Sequence, residues 1–173
     1  LYAGLGGVLM ATYGFGATEA EGAFSRARSL CQELGESTDL FPAQWGLWLF
    51  YWGKSFLKDA NEIAEQLLAV ARTGSDTSLQ LQAHHAAWAT AYSRGELQAA
   101  MDHTSEGLRL YDSKLHAMTA STYGDHDAGV CCLNFRARVL TLFGRTVEAV
   151  QTSEAAISQA RDLAQPLSRA TAY

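Results

Sequence analysis

The chain has 173 residues, 48% of them hydrophobic and 18% charged, with a net charge of -5 and only two prolines. That balance supports one well-cored globular unit and excludes disorder, collagen and disulfide-stapled secreted scaffolds. The 13 Lys and Arg are scattered among 18 acidic residues with no basic tail, so the clustered cationic surface that nucleic-acid binding needs is missing.

The predicted elements begin with an uncharged stretch, Leu1 to Thr18. It has no basic start and is broken by Gly4, Gly6, Gly7, Gly14 and Gly16, so it reads as a buried helix rather than an export signal or membrane span. Further helices are predicted at about 17-34, 40-54, 56-73, 77-94, 96-111, 127-143 and 146-163, and from 166 onward. Gly35 and Gly74 sit where helices stop, each followed by a capping cluster, Glu36-Ser37-Thr38-Asp39 and Ser75-Asp76-Thr77-Ser78. Pro42 and Pro166 fall near first turns, where a missing N–H does no harm. The aromatic run Trp45 to Trp52 does not alternate polar with apolar residues, so no strand is expected there.

Internal repeats follow from lining up Ala20, Ala60, Ala100 and Ala149, whose spacings are 40, 40 and 49. Small or apolar residues recur four and seven places after each anchor: Phe24 and Ala27, Ala64 and Leu67, Thr104 and Gly107, Ser153 and Ala156. The longer last interval places a loop between Asp112 and Asp127, with Ser113, Ser121, Thr122 and Gly124 in it. The expected fold is all-α: one domain over 1-173, with antiparallel helix hairpins at about 1-35, 38-74, 76-112 and 126-163 and a fifth starting at 165-173. Such hairpins bury their faces by stacking into a right-handed superhelix, or solenoid, whose first helices line a concave groove. Because the chain opens on Leu1 rather than Met, it is expected to be a piece of a longer protein.

The Ala20, Phe24, Ala27 pattern resembles the second helix of a tetratricopeptide repeat, where small residues let two helices approach closely. The stretches Ala23-Phe24-Ser25-Arg26-Ala27-Arg28, Gly46-Leu47-Trp48, Ala64-Glu65-Gln66-Leu67-Leu68, Gln82-Ala83-His84-His85-Ala86, and Tyr123-Gly124 with Asp127 resemble a more specific group. That group is the tetratricopeptide (TPR) region of bacterial proteins that join a class III adenylate or guanylate cyclase to an AAA-type ATPase. The resemblance runs along nearly the whole chain and implies a regulatory or scaffolding segment. Trp88 stands where the repeat usually has a small residue, which puts tight packing of the third hairpin in doubt, and Ala128 stands where relatives often have Pro.

Several motifs carry less. Gly53-Lys54-Ser55 ends like a phosphate-binding loop, but Trp48 to Trp52 are too bulky for a cradle of amide groups, and Gly4-Leu5-Gly6-Gly7 lacks a preceding strand. His84, His85, His103, His116, His126, Cys131 and Cys132 are ligand types for zinc, yet their spacing fits no known site, so neither a metal nor another cofactor is expected. Cys31 makes the cysteines odd in number, and free thiols fit a reducing cytoplasm.

Counting 15, 11 and 8 places back from each anchor gives the expected groove. Its first and last sets are Leu5, Leu9, Thr12 and Asn134, Arg138, Thr141; the middle sets are Trp45, Leu49, Trp52 and His85, Ala89, Tyr92. The aromatic residues would anchor a partner, while Asn134 and Arg138, one turn apart, would clamp a carboxylate or peptide C-terminus. The expected function is thus non-catalytic: a partner peptide, or another domain of the same chain, binds in the groove, with no role in nucleic-acid or membrane binding. Alternatives are the helical array of an ATPase-type transcriptional activator and a small helical metalloprotein or enzyme using its His and Cys residues.

Overall fold

The computed structural model describes residues 1–35, 40–116, 122–163 and 165–173. Among these residues ten helices follow in order: α1 (Tyr2–Tyr13), α2 (Thr18–Leu34), α3 (Leu40–Gly53), α4 (Leu57–Thr73), α5 (Thr77–Ser93), α6 (Leu97–Leu110), α7 (Ser113–His116), α8 (Ala128–Leu142), α9 (Thr146–Asp162) and α10 (Pro166–Ala172). No strand occurs among the described residues. Consecutive long helices pack as neighbours, and α1 also touches α3, α3 touches α5, α5 touches α8, and α8 touches α10.

Local chemistry sets the helix ends. Asp76 caps α5 by accepting hydrogen bonds from the backbone N–H groups of Ser78 and Leu79 at 2.8 and 3.3 Å. Asp112 does the same for Lys114 and Leu115, so the short α7 forms inside a segment expected to be loop. Pro166 opens α10, and Gly35 closes α2 in the left-handed region. Gly74 ends α4 in an extended conformation instead, with φ -111°. The capping cluster Glu36-Ser37-Thr38-Asp39 and Ser121 lie outside the described residues.

The repeat frame reappears in the turns. Ser55, Gly95 and Gly144 all have positive φ and stand five places before Ala60, Ala100 and Ala149. After each, the next N–H reaches back five residues: Phe56 to Tyr51, Glu96 to Ala91 and Arg145 to Leu140, all at 2.9 Å. Gly53-Lys54-Ser55 is therefore the α3–α4 turn. Ala20, Ala60, Ala100 and Ala149 are buried, as their place at hairpin contacts requires.

Aromatic rings fill the spaces that glycines leave. A Cβ on Gly6 or Gly46 would run into the Phe24 ring, and one on Gly107 would come within 2.5 Å of Trp88. Trp88 is fully buried, so the third hairpin packs tightly, contrary to the expectation from its size: the helix facing Trp88 gives way at Gly107 rather than the tryptophan being replaced by a small residue.

Candidate functional site

The groove positions divide into two fates. Tryptophans 45, 48 and 52 on α3 recur at helical spacing, and each donates its indole N–H to α5. Trp45 donates to the Gln82 carbonyl at 3.2 Å and Trp48 to Thr90 Oγ1 at 2.8 Å. Trp52 donates to Ser93 Oγ at 2.9 Å and the Ala89 carbonyl at 3.3 Å. Trp45, Leu49 and His85 are each 4% exposed or less, and Ala89 is buried with them. These side chains are core rather than groove lining, which corrects the expectation for Trp45, Leu49 and His85. Trp52 and Tyr92 are half-buried at the rim, Trp52 stacked on Trp48 and Tyr92 edge-on to Phe135 at 5.4 Å.

Part of the cover comes from the long interval. Thr122 to Asp127 turns sharply through positive φ at Gly124 and Asp125, carrying Tyr123 edge-on to Trp45 at 5.3 Å and to Phe41 at 6.3 Å. Tyr123 is buried, and burial pushes its hydroxyl up to about 12. The Tyr123 end of the 113–126 segment thus covers Trp45, and His126 lies edge-on to His85 at 5.1 Å. The segment is tied down at Asp127, which is buried and accepts from Tyr111 Oη at 2.8 Å, the Val130 N–H at 2.8 Å and Gln159 Nε2 at 2.9 Å. The Asp127 N–H donates to Ser168 Oγ at 2.8 Å. One residue therefore joins the residue that ends α6 to α8, α9 and α10.

The polar end stays open. Asn134, Arg138 and Thr141 of α8 line a pocket of roughly 360 Å³ with Thr146, Val150 and Ser153 of α9. Arg138 is exposed, lies over the Phe135 ring at 5.5 Å from its centroid, and makes no salt bridge among the described residues. Asn134 is partly committed already, because its Nδ2 donates to the Thr171 carbonyl of α10. On α1, Leu5 and Thr12 are exposed and Leu9 is half-buried.

Beneath the Tyr123 turn, the structure assembles a cluster that no spacing motif displays. One donor atom from each of His85, His126 and Cys131 lies within 4.8 Å of the others. His85 comes from α5, 46 residues before Cys131 on α8, and its Nε2 is 3.2 Å from Cys131 Sγ. His85 Nδ1 sits 3.2 Å from Gln82 Oε1, and His126 Nδ1 sits 2.9 Å from the Gly124 carbonyl. Both acceptors place a proton on Nδ1 and leave Nε2 as a lone pair. Burial lowers the affinity of His85 and His126 for a second proton, the two rings reinforcing this at His85. Burial also raises the Cys131 thiol to about 12, so it is a poor nucleophile in this state. His84 and His103, on α5 and α6, form a separate pair with Nδ1 atoms 3.0 Å apart.

No family model and no solved structure matches the chain. An uncharacterized protein of Rhizobium meliloti (strain 1021) is 31% identical to it over 157 residues, which are 90% of this chain and 15% of that protein. No helix among the described residues is long and apolar enough to cross a membrane.

Proposed function

We propose that the chain is a non-catalytic interaction segment, a TPR-like right-handed solenoid that regulates a longer bacterial signalling protein by holding a partner peptide or another part of its own chain. The resemblance to the repeat region of ATPase-linked nucleotide cyclases supports the parent class, and the free thiols of Cys31, Cys131 and Cys132 support a cytoplasmic setting. The neighbour and next-but-one helix contacts and the recurring turns support a stacked-hairpin architecture. A stretch like this one occupying 15% of a long bacterial relative suits a segment embedded among other domains.

The observation that carries the binding reading is Arg138: an exposed guanidinium at the mouth of a pocket, with no salt bridge among the described residues. Such a fork of donors suits a carboxylate, by two parallel charge-assisted hydrogen bonds. The ligand end of the proposed groove is therefore its polar end, with Trp52 and Tyr92 as rim contacts and the enclosed Trp45 as support.

The test is selection from a randomised peptide pool offered with free C-termini and again with amidated ones. The expected result is enrichment of free-carboxylate peptides on the native protein and its loss on Arg138→Ala, whose thermal melting should match the native protein. Equal enrichment of amidated peptides, or undiminished enrichment on Arg138→Ala, would reject the reading.

A further inference from the structure

The His85, His126 and Cys131 cluster has three properties that a packed core does not require. Its two imidazoles are fixed by acceptors on Nδ1, Gln82 Oε1 and the Gly124 carbonyl, and one donor atom of each ring lies within 4.8 Å of Cys131 Sγ. That outer hydrogen bonding is how metal-ligating histidines are commonly oriented. The third donor, Cys131 Sγ, already lies 3.2 Å from His85 Nε2, the distance of a thiol proton shared with the lone pair. Finally, the Trp88 indole N–H is buried with no hydrogen-bond partner among the described residues, and its ring stacks on His85 at 4.7 Å.

We infer that His85, His126 and Cys131 form a three-coordinate site for one soft monovalent metal ion, Cu(I). Binding replaces the proton between Cys131 and His85: the S–H bond breaks, the proton leaves to solvent, and the ion takes one sulfur and two nitrogen donors. Metal–donor bonds of about 2.0–2.3 Å would set the three donors about 3.6–3.8 Å apart, so closing the present arrangement needs shifts of about 1 Å. His126 can supply them. It is half-buried on the Thr122 to Asp127 turn, whereas His85 and Cys131 sit on packed helices.

Ligand number and charge select the ion. Three donors satisfy a d10 monovalent ion, whereas zinc in a closed protein site takes four. One thiolate and two neutral imidazoles make the site neutral with Cu(I) and leave a buried positive charge with Zn(II). The walls are aromatic: His85 stacks on Trp88 at 4.7 Å and meets Trp45 and Trp48 at 5.6 and 5.9 Å.

The experiment is an anaerobic titration of the whole chain with Cu(I) against a chromophoric Cu(I) chelator, and separately with Zn(II) against a zinc chelator. X-ray absorption of the loaded protein supplies the coordination. The expected result is one Cu(I) per chain, bound at least tenfold more tightly than Zn(II), with one sulfur and two nitrogens around it and quenched tryptophan fluorescence. Cys131→Ser and His126→Ala should each weaken Cu(I) binding at least tenfold. Absence of a stoichiometric Cu(I) complex, preference for Zn(II), or full retention in both variants would overturn the assignment. The native titration decides the matter even where a variant fails to fold.

Discussion

The middle and the far end of the molecule carry equivalent positions of the same repeat, yet one is core and the other is surface. Trp45 and His85 stand at the same distance before their anchors as Asn134, and Leu49 at the same distance as Arg138. On α3 and α5 these places are sealed by hydrogen-bonded tryptophans and by Tyr123. On α8 the pocket beside them is open, with only Asn134 tied to α10. Repeat position alone therefore does not assign a binding surface; what packs over it does.

The largest effects should come from the sealed half. Trp48→Ala removes a fully buried ring and strands the Thr90 hydroxyl, and should lower unfolding free energy by about 3–5 kcal/mol in urea titration. If the middle were an open groove, the loss would be far smaller. Asp127→Ala, which leaves Tyr111, Val130 and Gln159 without their shared acceptor, should cost about 2–3 kcal/mol. Gly107→Ala should cost about 1–3 kcal/mol by crowding Trp88. Combined with Trp88→Ala, that penalty should largely vanish in a double-mutant cycle; strictly additive losses would refute the paired fit.

A smaller effect concerns acid. His84 is pushed down to about 4 by burial and by His103, with Arg72 and Arg109 acting the same way and Glu106 opposing. His103 is lowered too, chiefly by burial. The unfolded chain, with histidines near 6.5, therefore binds protons before the folded one does. This contribution to stability is complete above pH 6.5 and is lost as pH falls toward 4. Melting temperature should drop through that window, and His84→Gln should flatten the drop; an unchanged profile would contradict the His84 assignment. The smallest effect on stability belongs to the open half: Arg138→Ala should change unfolding free energy by less than about 0.5 kcal/mol while abolishing carboxylate-dependent peptide binding.

Much of the helical pattern was legible because it depends on local residues. The anchors and the residues following them repeat in the chain itself, whereas the positive-φ turns at Ser55, Gly95 and Gly144 emerge from the structure. Asp76 and Asp127 announce helix starts through their own side chains. The packing of Trp88 was misjudged because its answer, Gly107, lies on the next helix. The interval between Asp112 and Asp127 was legible as a loop, but the seat of its Tyr123 on Trp45 depends on how α3 meets it in three dimensions. The His85, His126 and Cys131 cluster escaped spacing rules because its first ligand type lies 46 residues from its last; only stacking of α5 on α8 unites them.

The account stands or falls on the enclosure of the aromatic middle, which leaves the Arg138 end as the free face. Its most direct measurement is hydrogen exchange of the four tryptophan indole N–H groups, read residue by residue by NMR. Slow exchange is predicted for Trp45 and Trp48, whose N–H groups are buried and bonded to α5, with Trp52 faster at the rim. Exchange of Trp45 and Trp48 at the rate of free indole would mean an open aromatic groove and contradict the account.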